Sequence, residues 1–219
     1  MEIPRQPSMM RKVRRCSGSS LSVVILCGAN EWKGVAHSLM NGKNPEIVFH
    51  ADRLVLRKTE ETDVQAIMEI FSDPLAMQYY PRTRSRDEAA SWILRMQESY
   101  RLYGVGLWTV ELRHSGEVIG QCGIVPQRIH DDIQEWEIGY LFLRRHWRHG
   151  YASEAARGCR DYGFENLHAS HLVSIINPDN TPSIRVAQRM GMKQREITTW
   201  RQMSVAVYAL SREEWRRGK

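Results

Sequence analysis

From Ala51 onward, apolar and polar positions recur with two distinct periods. Leu54 and Leu56 alternate with Arg53, Val55 and Arg57, the period of two that predicts a first strand. Val64, Ile67, Met68 and Phe71 then fall at i, i+3, i+4 and i+7, which predicts a helix capped by Thr62 or Asp63 and ending before Pro74. Ser85 with Glu88 three residues on reads as a capping box opening a second helix, whose stripe is Ala89, Trp92, Ile93, Met96 and Tyr100. Two strands, Leu107 to Leu112 and Val118 to Val125, flank the turn residues His114, Ser115 and Gly116 as a hairpin, and a further strand runs from Gln134 to Leu143. A helix from Tyr151 to Asn166 turns Ala152, Ala155, Ala156, Cys159 and Tyr162 inward, small residues that let it lie close to a sheet. Leu172 to Ile176 reads as a short strand, Thr181 to Met190 as a helix closed by Gly191, and residues 192 to 210 as a last antiparallel pair. The class is α/β in the α+β sense, without internal repeats.

Composition narrows this picture. With 219 residues, 42% hydrophobic and 26% charged, the chain is expected to form one domain with an extension. The net charge is +6, but residues 1–50 hold seven basic and only three acidic residues, so most of the excess lies there. Residues 51–219 are expected to be the folded domain, and residues 1–50 a basic, poorly ordered extension, or sequence ahead of a natural start near Met40. A body this close to neutral predicts no specific nucleic-acid partner. Cys16, Cys27, Cys122 and Cys159 lie far apart without metal-ligand spacing and read as reduced thiols in a cytoplasmic protein. His168 and His171 have no third ligand nearby, so no metal is expected. Leu21 to Ala29, interrupted by Ser22 and Gly28, falls well short of the roughly 18 apolar residues of a membrane span. The Arg11 to Arg15 run before it imitates a signal peptide, but no convincing cleavage site follows. Neither membrane association nor secretion is expected.

The chemistry is concentrated at the end of the strand from Gln134 to Leu143. It feeds a basic turn, Arg144 to His149, and Gly150 then opens a helix. Backbone N–H groups at a helix start are unpaired and the dipole there favours negative charge, so such a turn can seat a phosphate. Gly150 removes a Cβ from the approach, and Ser153 adds a hydroxyl. The segment is neither a Walker loop nor a GxGxxG fingerprint, which argues against ATP and dinucleotides.

Four motifs in order carry a family resemblance: Glu137-Ile138-Gly139-Tyr140, the run His146-Trp147-Arg148-His149-Gly150-Tyr151-Ala152-Ser153-Glu154-Ala155, Asn177-Pro178-Asp179-Asn180-Thr181-Pro182-Ser183, and Met190-Gly191-Met192, with Tyr208 to Trp215 closing the chain. Residues 51–219 resemble a GNAT-fold N-acetyltransferase, in the branch similar to the ribosomal-protein N-terminal acetyltransferases RimJ and RimL. The resemblance implies a mixed, mostly antiparallel sheet flanked by helices and splayed between its fourth and fifth strands. It implies acetyl-CoA in that cleft as co-substrate, and an amine acceptor that is either a protein N-terminus or a small molecule such as an amino acid, polyamine or aminoglycoside. A non-catalytic acyl-CoA sensor is the reading from another class, and a homodimer is compatible with the family. Three positions depart from the family pattern: Trp147 replaces Gln or Arg, Ala187 stands where a tyrosine acid often sits, and Met192 replaces Phe.

Site roles follow from the resemblance. Leu141, Phe142 and Leu143 would offer main-chain groups to the pantetheine arm. Arg148, His149, Gly150, Tyr151, Ala152 and Ser153 would cradle the pyrophosphate, while Arg144 and Arg145 read as a solvated basic corner. Asn180, and more weakly Asn177, would contact CoA, although Asn180 equally suits an N-cap. Glu137 is the candidate base for the amine or, alternatively, a binder of the cationic substrate, with Glu135 as its substitute. Ser183 is the candidate acid for the leaving thiolate, or a first-turn serine satisfying backbone.

Overall fold

The computed structural model describes residues 45–130 and 133–218. In chain order these form β1 (Ile47–His50), β2 (Leu54–Arg57), α1 (Val64–Ser72), α2 (Arg86–Tyr103), β3 (Leu107–Leu112), β4 (Val118–Arg128), β5 (Gln134–Phe142), α3 (Tyr151–Glu165), β6 (His171–Ile176), α4 (Thr181–Arg189), β7 (Lys193–Trp200), β8 (Met203–Ser211) and α5 (Arg212–Arg217). The strands make one sheet in the order β1-β2-β3-β4-β5-β6-β8-β7. The basic run at Arg11 to Arg15, the apolar patch at Leu21 to Ala29, Cys16 and Cys27 lie outside the described residues.

Two elements differ from expectation. Strand β1 pairs antiparallel with β2, so the sheet begins ahead of Ala51, inside the segment expected to be an extension. Its four residues carry no alternation long enough to read, and what holds them is tertiary. Phe49 lies edge-on to Trp108, with centroids 5.8 Å apart, and beside Tyr162. It occupies space that a side chain on Gly158 would claim, since a Cβ there would stand 2.4 Å from its ring. Helix α5 was also unforeseen; it starts on a Ser211–Glu214 capping box and stacks Trp215 on Phe164.

The remaining elements form where the patterns place them. Ser85 Oγ accepts the Glu88 N–H, and the Glu88 carboxylate accepts the Ser85 N–H at 2.9 Å, closing the capping box of α2. Asp63 does not cap α1. Its buried carboxylate accepts hydrogen bonds from both Arg57 Nη atoms, the Glu60 N–H and the Thr109 hydroxyl, tying β2 and β3 to the start of α1. Ala155, Ala156 and Cys159 of α3 are fully buried, as small residues at a close helix–sheet contact should be. They join Trp108, Ile124, Ile138 and Leu172 in the main core, while Ile67, Phe71, Ile93 and Leu143 form a second cluster with α1 and α2. Cys122 and Cys159 are free, buried thiols.

The sheet divides at one seam. Antiparallel pairing of β4 with β5 runs unbroken from Gly120↔Phe142 to Arg128↔Gln134, whereas β5 and β6, which are parallel, pair only at Glu137↔Val173. Beyond that pair the two strands part. With β1 counted, the fourth and fifth strands of the expectation are β5 and β6, and the splay lies between them.

Candidate active site

The register of β5 determines which backbone groups enter the seam. The Leu143 N–H donates to the Ile119 carbonyl at 2.9 Å, so odd-numbered residues of β5 exchange bonds with β4 and even-numbered ones face β6. Two contacts agree with this alternation: Ser174 Oγ donates to the Ile138 carbonyl at 2.9 Å where the strands fork, and Trp147 Nε1 donates to the Phe142 carbonyl at 2.8 Å. This redirects the expectation for Leu141, Phe142 and Leu143. Leu141 and Leu143 turn their main chain toward β4, and the gap receives the main-chain groups of Phe142 and of Tyr140. Leu143 in addition accepts from the His146 N–H and does not line the cleft.

A cleft of about 860 Å³ opens beyond the fork, walled by Tyr140, Leu141 and Phe142 of β5, by Trp147 to Ser153, by Asn180 just ahead of α4 and Ser183 within it, and by Tyr79 and Tyr80 from the segment joining α1 and α2. Arg148, His149, Gly150, Tyr151, Ala152 and Ser153 are all at its wall. Gly150 is the N-cap of α3 with φ +83°, a left-handed conformation that leaves the first-turn N–H groups pointing outward. Arg53, in the bend before β2, buttresses this turn. It is ion-paired with Glu154 at 2.7 Å, donates through Nη1 to the His149 carbonyl at 3.1 Å, and lies 4.6 Å over the Tyr151 ring, which stacks on His149. Nothing in the local sequence around Arg53 announces that role; only the fold brings it to Glu154. Arg144 pairs with Asp73, and Arg145 with Glu69 and Glu117, as a solvated basic corner would.

On the opposite wall, Asn180 caps α4 by accepting the Ser183 N–H at 3.2 Å. The Ser183 backbone is therefore satisfied by Asn180 and by Tyr140, whose hydroxyl donates to the Ser183 carbonyl at 3.0 Å, while the Ser183 hydroxyl has no partner among the described residues; Ser183 borders the cleft. Burial pushes the Tyr140 phenol above its ordinary value and keeps it protonated. Asn177 is elsewhere: its Oδ1 accepts the Asp179 N–H at 2.9 Å in the loop before α4, and it does not reach the cleft. Tyr208, which by its place in the closing motif could line the acceptor site or pack in the core, is buried in the core. Ala187 is fully buried, so a tyrosine there would have no access to this cleft without repacking.

Glu137 sits at the fork itself. Its carboxylate accepts from Gln127 Nε2 at 2.7 Å and from the Ile175 N–H on β6, and burial nevertheless pushes its proton affinity above the usual carboxylate range. Tyr80, at the cleft wall, feels this charge; desolvation of its hydroxyl end and then Glu137 push the phenol up to about 12. Sequence reading missed Tyr80, whose segment lacks any periodic signal, and placed Tyr140 in a motif without giving it a role. Glu135 is not a spare base, since Arg195 holds both its oxygens at 2.8 and 3.2 Å. Among the described residues no group of three or more His, Cys, Asp or Glu gathers in metal-binding geometry, and no helix is long and apolar enough to cross a membrane.

A parted parallel pair beside a glycine-opened helix, with a carboxylate at the fork, describes an acyl-CoA transferase site, and the comparisons agree. The model of the acetyltransferase (GNAT) domain matches residues 53–193, and the chain belongs to that family. A relative from Bacillus subtilis (strain 168), the uncharacterised protein YkkB, is 41% identical over 171 residues, covering 77% of this chain and 96% of its own. The crystal structure of an acetyltransferase from Agrobacterium tumefaciens str. C58 superposes with a TM-score of 0.66 at 27% identity, covering 80% of this chain and 98% of that one. RimL, the ribosomal L7/L12 α-N-protein acetyltransferase solved with coenzyme A, shares the fold at 17% identity, with a TM-score of 0.62 over 76% of this chain and 98% of its own.

Proposed function

We propose that this GNAT acetyltransferase acts within the RimJ/RimL-like branch, moving the acetyl group of acetyl-CoA directly onto the α-amine of a protein N-terminus. Support for the donor comes from the cleft: unpaired first-turn N–H groups at Gly150 to Ser153 suit a diphosphate, and the gap-facing main chain of Tyr140 and Phe142 suits the amides and thioester of the pantetheine arm. The coenzyme A bound to RimL, a protein of the same fold, is in keeping with this. For the acceptor the support is the order and content of the motifs around Glu137, Gly150 and Ser183.

The single observation that carries the chemistry is Glu137 at the fork, a carboxylate with raised proton affinity beside the open seam. In the proposed reaction the ammonium gives a proton to Glu137, directly or through water. The freed amine forms a C–N bond with the thioester carbon and the C–S bond breaks; the thiolate takes a proton from the Ser183 hydroxyl, the second proton leaving the nitrogen returns through water to that serine, and Glu137 gives its own proton up to solvent. A screen of peptide N-termini and small amines with purified protein, scored by released CoA thiol, tests the proposal. Release that depends on an N-terminal peptide is expected; release only with small amines would move the acceptor class, and acetyl-CoA binding without release across the panel would overturn the transferase.

A further inference from the structure

Three guanidiniums, those of Arg84, Arg95 and Arg201, are held against aromatic rings, one of them beside the fork. Arg84 and Arg95 both lie over the Trp92 ring, at 5.3 and 5.0 Å, and Arg84 also lies 4.9 Å over Phe71. Arg201 stacks 4.3 Å over Trp200 and donates through Nη2 to Gln127 Oε1 at 3.4 Å, the same amide whose Nε2 donates to the Glu137 carboxylate. One side chain therefore separates Arg201 from the proposed base. Burial is the main cause that lowers the proton affinity of Arg84 and Arg95; Arg82 and then Arg201 add to it at Arg84, against Tyr80 and Glu88, and Arg84 and then Arg201 add to it at Arg95, against Glu88, which places the three within electrostatic reach of one another.

Some arginines of this molecule are matched to carboxylates, and these three are not. Neighbouring arginines are matched: Arg82 with Glu88, Arg101 with Glu98, Arg195 with Glu135. Among the described residues no carboxylate lies within 4.0 Å of Arg84, Arg95 or Arg201. The turn that presents Arg201 is itself strained. Arg201 and Gln202 both have positive φ, +50° and +66°, in a two-residue hairpin where Asn-Gly would be the relaxed choice. Mutual repulsion and backbone strain are retained at one place, and aromatic faces hold the cations in position. Such an arrangement is relieved by an anion, and planar guanidiniums suit a carboxylate or phosphate.

We infer that the acceptor carries an anionic group, a carboxylate or phosphate, close to its reacting amine: the ammonium is drawn to Glu137 and the anion to Arg84, Arg95 and Arg201. The inference rests on the transferase reading above and deepens it. Acidic peptide N-termini and amino acids satisfy it; polyamines and aminoglycosides, which bring only further positive charge, are repelled.

The test measures thiol release by the full chain with acetyl-CoA and a matched panel: peptides beginning Ser-Asp and Ser-Lys, free serine, and spermidine. The Ser-Asp peptide is expected to exceed Ser-Lys in kcat/KM by about fivefold or more, with spermidine poorest. In Arg201→Gln, an exposed substitution with little bearing on folding, that ratio should shrink while the acetyl-CoA Kd stays unchanged. Free serine outrunning the peptides would assign the anion to the acceptor's own carboxylate, and the reverse order to an acidic side chain; both uphold the inference. A smaller Ser-Asp preference, or spermidine as good as the acidic amines, overturns it and leaves acetyl transfer standing. If no amine releases thiol, the transfer reading falls, and calorimetry of the two peptides against CoA-loaded protein decides the charge preference alone. Tighter Ser-Asp binding that Arg201→Gln abolishes upholds it, and binding indifferent to charge, or none, overturns it.

Discussion

Glu137 is asked to be a base while its surroundings disfavour its charge. Because burial raises its proton affinity, the folded chain keeps a proton that the unfolded chain has already released. Stability contributed by this group is therefore lost as pH rises from the ordinary carboxylate value through the raised folded one, and it stays lost above that. Glu137→Gln should accordingly melt at a higher temperature than the parent at pH 8, with the difference vanishing near about pH 4. The same variant should lower kcat by about 100-fold with an unchanged acetyl-CoA Kd, and should recover part of the loss at high pH, where the amine sheds its own proton. Equal turnover at neutral pH would remove Glu137 as base. Ser183→Ala is the milder case: its hydroxyl has no partner among the described residues, so the melting temperature should hold while kcat falls by about tenfold, a leaving thiol with a pKa of about 8.5 needing only modest help.

At the scale of elements, the turn into α3 and the ion cluster under α1 make opposite demands. Gly150→Val places a β-branched residue at φ +83° and presses toward the Arg53 guanidinium, 3.5 Å from the Cβ position. Acetyl-CoA affinity measured by calorimetry should fall by tenfold or more, with a stability cost of about 1–2 kcal/mol. Asp63→Ala, outside the cleft lining, should still cost about 3 kcal/mol in chemical denaturation, because it removes the carboxylate that both Nη atoms of buried Arg57 bond, leaving that charge only Glu111 at its Nε, and leaves the Thr109 hydroxyl only Thr59. Both elements also show how legible the chain was. Gly150, Ser153 and Glu137 could be read because strand, glycine and helix follow one another locally. Arg53, Tyr80 and the Arg84–Arg95–Arg201 group could not, because each gains its meaning from partners distant in sequence. Strand β1 escaped for the same reason: four residues without a pattern become a strand only because Phe49 finds the bare backbone of Gly158. The main-chain assignment on β5 was misread by one residue, since parity along a strand depends on its neighbour's register, which periodicity does not reveal.

For the whole molecule, the seam between β5 and β6 governs behaviour. Hydrogen exchange should find the amides of Tyr140 and Phe142 fast in the free protein and slowed when CoA is present, while Ile138, below the Ser174 contact, stays protected in both conditions. Equal protection of all three in the free protein would mean the strands close. The hydroxyl of Ser174 has a larger consequence than its single bond suggests. By serving the carbonyl of Ile138, it acts as a stop that keeps a zipper from running upward, so the expense of leaving backbone uncovered is met at folding and not at each turnover. An arriving thioester then has only to push out solvent, and catalysis begins from a fold that is already ajar.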